Sequence, residues 1–286
     1  MDIKCIYRNK NNGNDKYLIL NTEAKYFNKG PHNYCHFILG HLYQFYLQWT
    51  KTRWDLHKVN YNFIGLHNYH LKCYRQLIGS DPILNLINLN SNIKRPNYLF
   101  YDKIVKLKNI DNLMSNAPNF PDANGFHEFV INRLNITKSD PQFLTLVERS
   151  PKSDRSIINH KELKEKLQLL AKRKNLKFNN VILENYKNNF KSQLNLVYKS
   201  RIFIAQHGAA LANVFFLPKN STVVEITSSE YRRFEMIARA RNLKYYEIRL
   251  QPTNELWPKN SHLCIDLEII TSLIENDISD PVQIIQ

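Results

Sequence analysis

One short segment of the chain combines small residues, a histidine and a carboxylate in an order suited to a phosphorylated ligand. Within Arg201–Ile226 an apolar strand is predicted to end at Gln206, and a helix is predicted to begin two residues later. Gly208, Ala209 and Ala210 have almost no side chain, so a ligand can approach the backbone closely. The unpaired N–H groups and the positive dipole end of the helix would then bind a pyrophosphate.

Two polar side chains flank this segment. His207 follows the strand, where its ring could donate to a phosphate oxygen. Glu225 ends the next predicted strand at the same edge of the sheet, where its carboxylate could accept both hydroxyl protons of a ribose. The alternative is that the small residues only permit tight helix–strand packing and that His207 is an internally satisfied histidine. Neither G-x-x-x-x-G-K nor G-x-G-x-x-G occurs in the chain.

The elements that must position these residues alternate through the second half of the chain. Apolar runs predict strands at residues 143–147, 181–183, 202–205, 222–226 and 245–249. Helical spacing predicts helices at residues 161–174, 190–199, 209–216 and 231–241. Repeated β-α-β units predict a parallel sheet with helices on both faces. Ligands of such sheets bind beyond the carboxyl ends of the strands.

The first half of the chain contains strand-like runs and one aromatic-rich helical stretch, at residues 17–20, 62–66, 98–107 and 35–50. The turn-rich stretch Asn116–Gly125 precedes a predicted helix at 126–134 and indicates a domain boundary near residue 138. We therefore expect an α/β protein with two domains, 1–138 and 139–286. A last predicted helix, 267–275, could pack back across the first domain.

The charge of the chain points to phosphate-bearing partners. The 286 residues include 40 Lys and Arg against 25 Asp and Glu, a formal net charge of +15. A positive field attracts polyanions and phosphate-bearing small molecules. Because the cations are scattered along the sequence and form no dense block, a phosphate-bearing substrate is favoured over nucleic acid.

The cysteines and the apolar runs indicate the cellular compartment in which the protein is expected. Four cysteines without paired spacing argue against a disulfide framework or a zinc ribbon and are typical of a reducing compartment: Cys5, Cys35, Cys73 and Cys264. No apolar run has the length of a signal peptide or of a membrane-spanning helix. We therefore expect a cytoplasmic protein without a transmembrane segment.

Three motifs of the second half together resemble the signature of the family-61 glycosyltransferases. The first is His-Gly-Ala-small-Leu-x-Asn at residues 207–213, followed by an apolar stretch with proline and a strand ending in Glu-Ile at 225–226. The second is an Arg-x(n)-Arg-x-Ile-x-Asn-x-x-Glu stretch at 149–162, and the third is Phe-x-x-Gln at 190–193. The resemblance covers residues 143–270 well and the first half weakly.

The resemblance implies a GT-B arrangement, in which two Rossmann-like domains hold the donor in the cleft between them. It further implies inversion at the anomeric carbon, a UDP-sugar donor and a glycan or glycoprotein acceptor. It assigns the diphosphate to His207, Gly208, Ala209 and Ala210, places Asn213 in the same donor site, and assigns the ribose or uridine to Glu225. Arg149 and Arg155 become candidates for neutralising the leaving diphosphate. The alternative for each arginine is a surface cation that caps a helix or pairs with Glu162.

Inverting transfer also needs a base that takes the proton of the acceptor hydroxyl. Residues 33–37 resemble the family's Asn-x-x-His-aromatic motif, which contains His36. Relatives commonly carry an aspartate four residues after this histidine, where this chain has Gly40 followed by His41. His36 and His41 are therefore both candidates for the base. Two carboxylates remain alternatives on charge alone: Asp55 and Asp81.

No metal and no other cofactor is expected. His32, Cys35, His36 and His41 have irregular spacing that matches no standard zinc site. The chain has no Asp-x-Asp for a divalent cation, and GT-B enzymes typically stabilise the leaving group with arginine, histidine and a helix N-terminus.

The sequence thus favours a metal-independent, inverting UDP-sugar glycosyltransferase. Xylose is the expected sugar, because pentose transfer is frequent among the proteins that it resembles. Two alternatives remain open: a basic nucleic-acid-binding protein without catalysis, and a catalytically inactive UDP-sugar-binding relative, which the glycine at position 40 makes credible.

Overall fold

The computed structural model describes residues 34–52, 72–73, 76–77, 119–149, 156–186, 189–228, 231–250 and 263–276. It also gives the backbone of the strands at 5–6, 16–21, 60–64, 99–100, 103–107 and 282–285. The chain divides into two compact units, Met1–Asn112 and Leu113–Gln286.

Strands β1 to β5 of the first unit are Cys5–Ile6, Lys16–Asn21, Asn60–Ile64, Leu99–Phe100 and Lys103–Leu107. β2 lies between β3 and β5, and all three run parallel. β1 pairs with β4, also in parallel. The run predicted as one strand at 98–107 is therefore two strands, which belong to two different sheets.

A helical segment of the first unit changes its hydrogen-bonding pattern midway. It runs from α1 (Tyr34–Phe37) through a π-helical turn (Ile38–Leu42) into α2 (Tyr43–Thr52). The N–H of Tyr43 donates to the carbonyl of Ile38, five residues back. Every residue of the π-helical turn is buried. Such turns are rare inside helices and occur often at functional sites.

The second unit contains a fully parallel sheet. Its strands β6 to β11 are Phe143–Val147, Lys177–Val181, Ser200–Gln206, Thr222–Thr227, Lys244–Arg249 and Val282–Ile285. Their order is β7-β6-β8-β9-β10-β11. The strand predicted at 181–183 was misplaced, because β7 is a polar edge strand without an apolar run, and a 3-10 turn at Leu183–Tyr186 follows it.

This strand order identifies one candidate place for a ligand. After β6 the chain pairs β7 on one side and then returns to place β8 on the other side of β6. The order of connection therefore reverses between β6 and β8. Crevices form at such a switch point, outside the carboxyl ends of the strands, and ligands of open α/β sheets bind there.

Helices cover both faces of the sheet, and α3 to α7 are Ala123–Arg133, His160–Arg173, Phe190–Tyr198, Arg233–Ala240 and Leu267–Glu275. On one face, α4 and α7 share an apolar core with the strands, in which Leu146, Leu167 and Leu273 are buried. Lys166 Nζ lies 2.7 Å from Glu268 Oε1 across the two helices. The last helix, expected to pack back across the first domain, thus packs on α4 of its own unit.

On the other face, α3, α5 and α6 surround a 3-10 helix at Ala209–Phe216. The ring of Phe215 lies edge-on to Phe126, with centroids 5.1 Å apart, and its carbonyl is 2.9 Å from His127 Nδ1. These contacts hold α3 in the second unit. The division of the chain therefore lies after Asn112, ahead of the boundary that the turn-rich stretch suggested near residue 138.

Candidate functional site

Two strand ends bring polar groups together at the switch point. β6 ends at Val147, two residues before Arg149, and β8 ends at Gln206, immediately before His207. The Arg149 guanidinium donates through Nη2 to the carbonyl oxygen of His207. The carboxyl edge of the sheet therefore presents a partly buried cation beside the turn that carries the histidine.

Gly208 permits this contact. Its backbone has φ 155° and ψ −168°, a region that essentially only glycine occupies. A Cβ added to Gly208 would lie 3.2 Å from Arg149 Cζ and closer still to Nη2. The small residue was expected to admit a ligand to the backbone. The structure shows that the group admitted there is the guanidinium of Arg149.

The ring of His207 is supported by a buried carboxylate. Glu225 is fully buried in β9, and its two oxygens pair with His207 Nδ1 and with the hydroxyl of Tyr245, which donates at 2.5 Å. Burial, reinforced by the negative charge of Glu225, raises the pKa of Tyr245 well above its ordinary value, so this hydroxyl keeps its proton and remains a donor.

The buried position of Glu225 changes the role that we expected for it. A ribose cannot reach a side chain with no exposed surface, and both carboxylate oxygens already have partners inside the protein. Glu225 therefore supports the ring of His207. With Nδ1 facing the carboxylate, Nε2 lies on the side of the ring directed away from Glu225.

Aromatic side chains hold the same ring from other directions. Tyr231 stacks on His207 with centroids 6.4 Å apart, and Phe234 meets it edge-on at 5.4 Å. The histidine side chain is 17% exposed. Its orientation is thus fixed by one hydrogen bond and two rings, while part of its surface remains open.

The small residues after His207 form the accessible start of an otherwise buried segment. Residues 207–210 are partly exposed, whereas 211–218 are buried. The N–H of Leu211 donates to Gly208 O at 3.0 Å, which gives the turn its tight 3-10 geometry. The backbone at Ala209 and Ala210 is therefore the surface that this turn can offer to a diphosphate.

Asn213 lies behind this surface. It is fully buried, its Nδ2 donates to Ala210 O at 2.8 Å, and its Oδ1 accepts from Gln193 Nε2 at 3.0 Å. The asparagine expected in the donor site therefore acts through the backbone of Ala210. It also joins two of the recognised motifs by a direct hydrogen bond, because Gln193 ends the Phe-x-x-Gln run.

A third motif residue is structural as well. Asn159 donates to Ile265 O at 2.7 Å and accepts from Ile265 N at 3.0 Å, so its amide pairs with one residue as a strand neighbour would. It stabilises the isolated parallel bridge between Ile157 and Leu263. Arg155, the second arginine candidate, lies outside the described residues.

The two candidates for the base lie in the helical segment of the first unit. His41 belongs to the π-helical turn, is fully buried and stacks on Phe37 with centroids 6.5 Å apart. His36 is partly exposed at the end of α1. Asp55 and Asp81 lie outside the described residues.

Within the described ranges, no three histidine, cysteine, aspartate or glutamate side chains come together in a way that could hold a metal ion. A search of the same ranges for a helix long and apolar enough to cross a membrane also found none.

Sequence reasoning missed Tyr245 and the pairing of Gln193 with Asn213. Tyr245 aligns with Val223, so it shares a sheet face with Glu225, two residues further along the neighbouring strand. Aligning the observed starts of β9 and β10, Thr222 and Lys244, shows this neighbour, whereas the predicted starts at 222 and 245 shift the register by one residue and place Tyr245 on the other face. The amide pair gave no comparable signal, because it joins a helix to a 3-10 helix.

Comparison with known proteins identifies the family. The family model described as Glycosyltransferase 61 matches residues 31–224, more than half of the chain. The chain belongs to the glycosyltransferase 61 family. The match spans the switch-point residues and the helical segment with both histidine candidates.

Several curated proteins are similar to this chain. An EGF domain-specific O-linked N-acetylglucosamine transferase from Pan troglodytes is 27% identical over 254 residues, 80% of this chain and 44% of the relative. The protein of that name from Canis lupus familiaris is 31% identical over 153 residues, 52% of this chain and 28% of the relative.

A beta-1,2-xylosyltransferase from Oryza sativa subsp. japonica is 30% identical over 122 residues, 42% of this chain and 22% of its own length. The chain therefore spans less than half the length of these curated relatives.

Replacing Gly208 by alanine tests the close contact with Arg149. The added methyl group would meet the guanidinium, and the backbone would leave a conformation reserved for glycine. We expect the free energy of unfolding to fall by about 1–3 kcal/mol. Denaturant unfolding of the variant and the wild type would measure it.

The control for this substitution is a double-mutant cycle with Arg149→Ala. Removing the guanidinium should relieve the steric part of the loss, with a coupling energy of at least about 0.5 kcal/mol. Strictly additive losses would mean that Arg149 does not occupy the space beside Gly208.

Proposed function

We propose that this family member is an inverting glycosyltransferase that uses a UDP-sugar donor bound at the switch point of the second unit. The observation that carries the proposal is the convergence of Arg149 and His207 on one small-residue turn, with a buried carboxylate behind the histidine. A cation, a ring N–H and accessible backbone at one sheet edge are the groups that bind a diphosphate. The proposed arrangement is GT-B, with the first unit on the acceptor side.

The proposed reaction forms one bond and breaks one bond at the anomeric carbon. The acceptor hydroxyl oxygen attacks the anomeric carbon from the face opposite the diphosphate, while the bond from that carbon to the diphosphate oxygen breaks. The base takes the hydroxyl proton, and UDP leaves with the bonding electrons. Arg149 and His207 would stabilise the negative charge that develops on the leaving oxygen, with His207 protonated on both ring nitrogens so that Nδ1–H pairs with Glu225 and Nε2–H donates to the diphosphate. We propose that this charge is stabilised without a metal ion.

UDP-N-acetylglucosamine is the donor that we propose first, and UDP-xylose second. Xylose was the expectation from the sequence. The similar N-acetylglucosamine transferase covers 80% of the chain, whereas the similar xylosyltransferase covers 42%, which favours the first sugar. A glycan or glycoprotein is the proposed acceptor, because the name of the similar N-acetylglucosamine transferase specifies a protein domain as its target.

Thermal unfolding with a panel of ligands would test the donor site. The panel is UDP, UDP-N-acetylglucosamine, UDP-xylose, GDP-fucose and a short DNA duplex, each with and without EDTA. A ligand at about 100 times its dissociation constant should stabilise the fold by about 2.7 kcal/mol. We expect UDP and one UDP-sugar to raise the melting temperature equally with and without EDTA.

The other outcomes would separate the alternatives. A shift with DNA alone would reject the donor site and favour a nucleic-acid-binding protein. Binding of a UDP-sugar without turnover on any acceptor or water would favour an inactive relative. A UDP shift that EDTA abolishes and manganese restores would reject a metal-independent site.

Among the candidates for the base, we propose His36. Its partial exposure allows contact with an acceptor, whereas His41 is buried within the π-helical turn. His36→Ala should lower kcat by about 100-fold or more, as loss of a general base does, while the affinity for UDP stays unchanged. Steady-state kinetics and UDP calorimetry would measure the two effects separately.

The matched control is His41→Gln, which keeps a polar side chain in the buried turn. We expect it to lower stability more than kcat. Comparable, small effects of both substitutions on kcat would move the base to the carboxylates, Asp55 or Asp81.

Glu225→Gln tests the support of His207. The substitution keeps the size of the side chain but removes the charge that pairs with the ring, and charge-assisted hydrogen bonds are about twice as strong as neutral ones. We expect the affinity for UDP to fall by roughly tenfold, equivalent to about 1.4 kcal/mol. Calorimetric titration of UDP into the folded variant would check this value.

Tyr245→Phe is the control for Glu225→Gln. It removes the other hydrogen bond of the carboxylate without changing the charge opposite His207. Its effect on UDP affinity should be the smaller of the two. An unchanged affinity in a folded Glu225→Gln protein would remove His207 from the donor site.

A further inference from the structure

A second polar cavity lies at the opposite edge of the same sheet. It has a volume of about 450 Å³ and is lined by the turn before β9, the turn before β10 and the first turn of α3. Strand starts of a parallel sheet share one edge, so this cavity is at the amino-terminal edge. The proposed donor site is at the carboxyl edge.

A buried guanidinium forms part of the cavity wall. Arg241 is 2% exposed, its Nη1 donates to Asn124 Oδ1, and its Nη2 donates to Leu217 O at 3.0 Å. Its Nε is buried and has no hydrogen-bond partner among the residues that the structure describes. Within the described part of the chain, no carboxylate comes within ion-pair distance of this side chain.

Burial lowers the pKa of Arg241 to about 10, which still leaves the guanidinium charged at neutral pH. A buried charge without a counter-ion is unfavourable, because it loses hydration without gaining an opposite charge. An anion bound in the cavity would supply that charge.

The other charged groups of the wall favour an anion over a cation. Lys219, in the turn before β9, is exposed and belongs to the lining. Glu128 also belongs to it, but its carboxylate accepts from Lys138 Nζ at 3.0 Å, which offsets its negative charge. The lining together with Lys138 therefore carries two more positive than negative charges.

The turn residues add neutral donors and acceptors. Asn220 and Asn242 both line the cavity, and both have a left-handed backbone, with φ 63° and 53°. This backbone accounts for asparagine in these turns, since asparagine tolerates it better than most residues. Their amides next to the cations also suit the hydroxyl groups of a sugar.

We propose that this cavity is a second anion site, which binds a phosphate group through Arg241 and Lys219. The phosphate belongs either to inorganic phosphate or to a small sugar phosphate, whose hydroxyl groups would contact the asparagines. The site is separate from the donor site, and its existence does not depend on the proposed transferase activity.

Thermal unfolding and calorimetry with inorganic phosphate and glucose 1-phosphate would test the site, with sodium chloride at matched ionic strength as the reference. Both phosphates should raise the melting temperature of the wild-type chain above the chloride reference. Tighter binding of glucose 1-phosphate would identify the sugar phosphate as the source, and equal binding would identify inorganic phosphate.

Lys219→Glu is the decisive variant, because Lys219 is exposed and its replacement should leave the fold intact. It should weaken phosphate binding by roughly tenfold or more, as charge reversal beside a bound ion does, and leave the response to UDP unchanged. Lys161→Glu is the matched control: it makes the same charge change on an exposed lysine in the first turn of α4, at the carboxyl edge. It should change the affinity for phosphate by less than about twofold.

Arg149→Ala distinguishes the two edges of the sheet. It should leave phosphate binding intact if the phosphate binds at Arg241. Phosphate binding that is lost in Arg149→Ala but kept in Lys219→Glu would place the anion in the donor site and overturn the proposal. A wild-type response no larger than that to chloride would leave Arg241 a purely structural residue and would also overturn it.

An NMR measurement avoids substitution of Arg241, which contacts Asn124 and Leu217 and could unfold the chain if removed. The Nε–H resonance of Arg241 should shift on addition of phosphate, because an anion in the cavity changes the electrostatic environment of the guanidinium. An unshifted resonance at a phosphate concentration that stabilises the protein would contradict the site.

Discussion

The site depends on a carboxylate held inside the second unit. The carboxylate of Glu225 would be costly to bury alone, and its burial is tolerated because His207 and Tyr245 both pair with it. The three groups come from three different segments: the end of β8, β9 and β10. Pairing therefore requires β8, β9 and β10 to keep one register, in which Ala205, Glu225 and Glu247 lie side by side. The orientation of His207 at the sheet edge is a consequence of that register. The pairing of Glu225 with His207 therefore contributes both to the geometry of the site and to the stability of the fold.

A second constraint comes from the close approach of Arg149 to the backbone after β8. The switch point brings the ends of β6 and β8 together, and a side chain at position 208 would occupy the space of the guanidinium. Glycine is scarce in this chain, with 7 in 286 residues, so its presence here reflects a steric need. Gly208 thus leaves space for the guanidinium of Arg149. A diphosphate bound at this turn would contact that guanidinium. Asn213 and Gln193 hold the following turn from behind.

Local sequence patterns predicted most elements of the second unit, because its strands contain apolar runs and its helices have apolar residues at helical spacing. Strand 143–147 and helix 267–275 agree with the predicted bounds, and most other elements differ by a few residues. The failures have physical causes. β7 is a polar edge strand, so its alternation of apolar and polar residues is weak. Tyr245 contacts Glu225 from the neighbouring strand, and a pattern within one segment of sequence does not encode such a contact. The proline-rich turn suggested a domain boundary after α3, but packing of Phe126 on Phe215 keeps α3 in the second unit.

The fold also changes the meaning of the charge distribution. Cations that are far apart in sequence precede successive parallel strands: Lys174 before β7, Lys199 before β8, Lys219 before β9 and Arg241 before β10. Every β-α unit returns the chain to the same edge, so charges scattered in sequence become neighbours in space. Scatter along the chain is therefore no argument against a concentrated positive field. What separates a small-anion site from a general polyanion surface is burial, because only an enclosed cation such as Arg241 gains more from one bound ion than from mobile counter-ions.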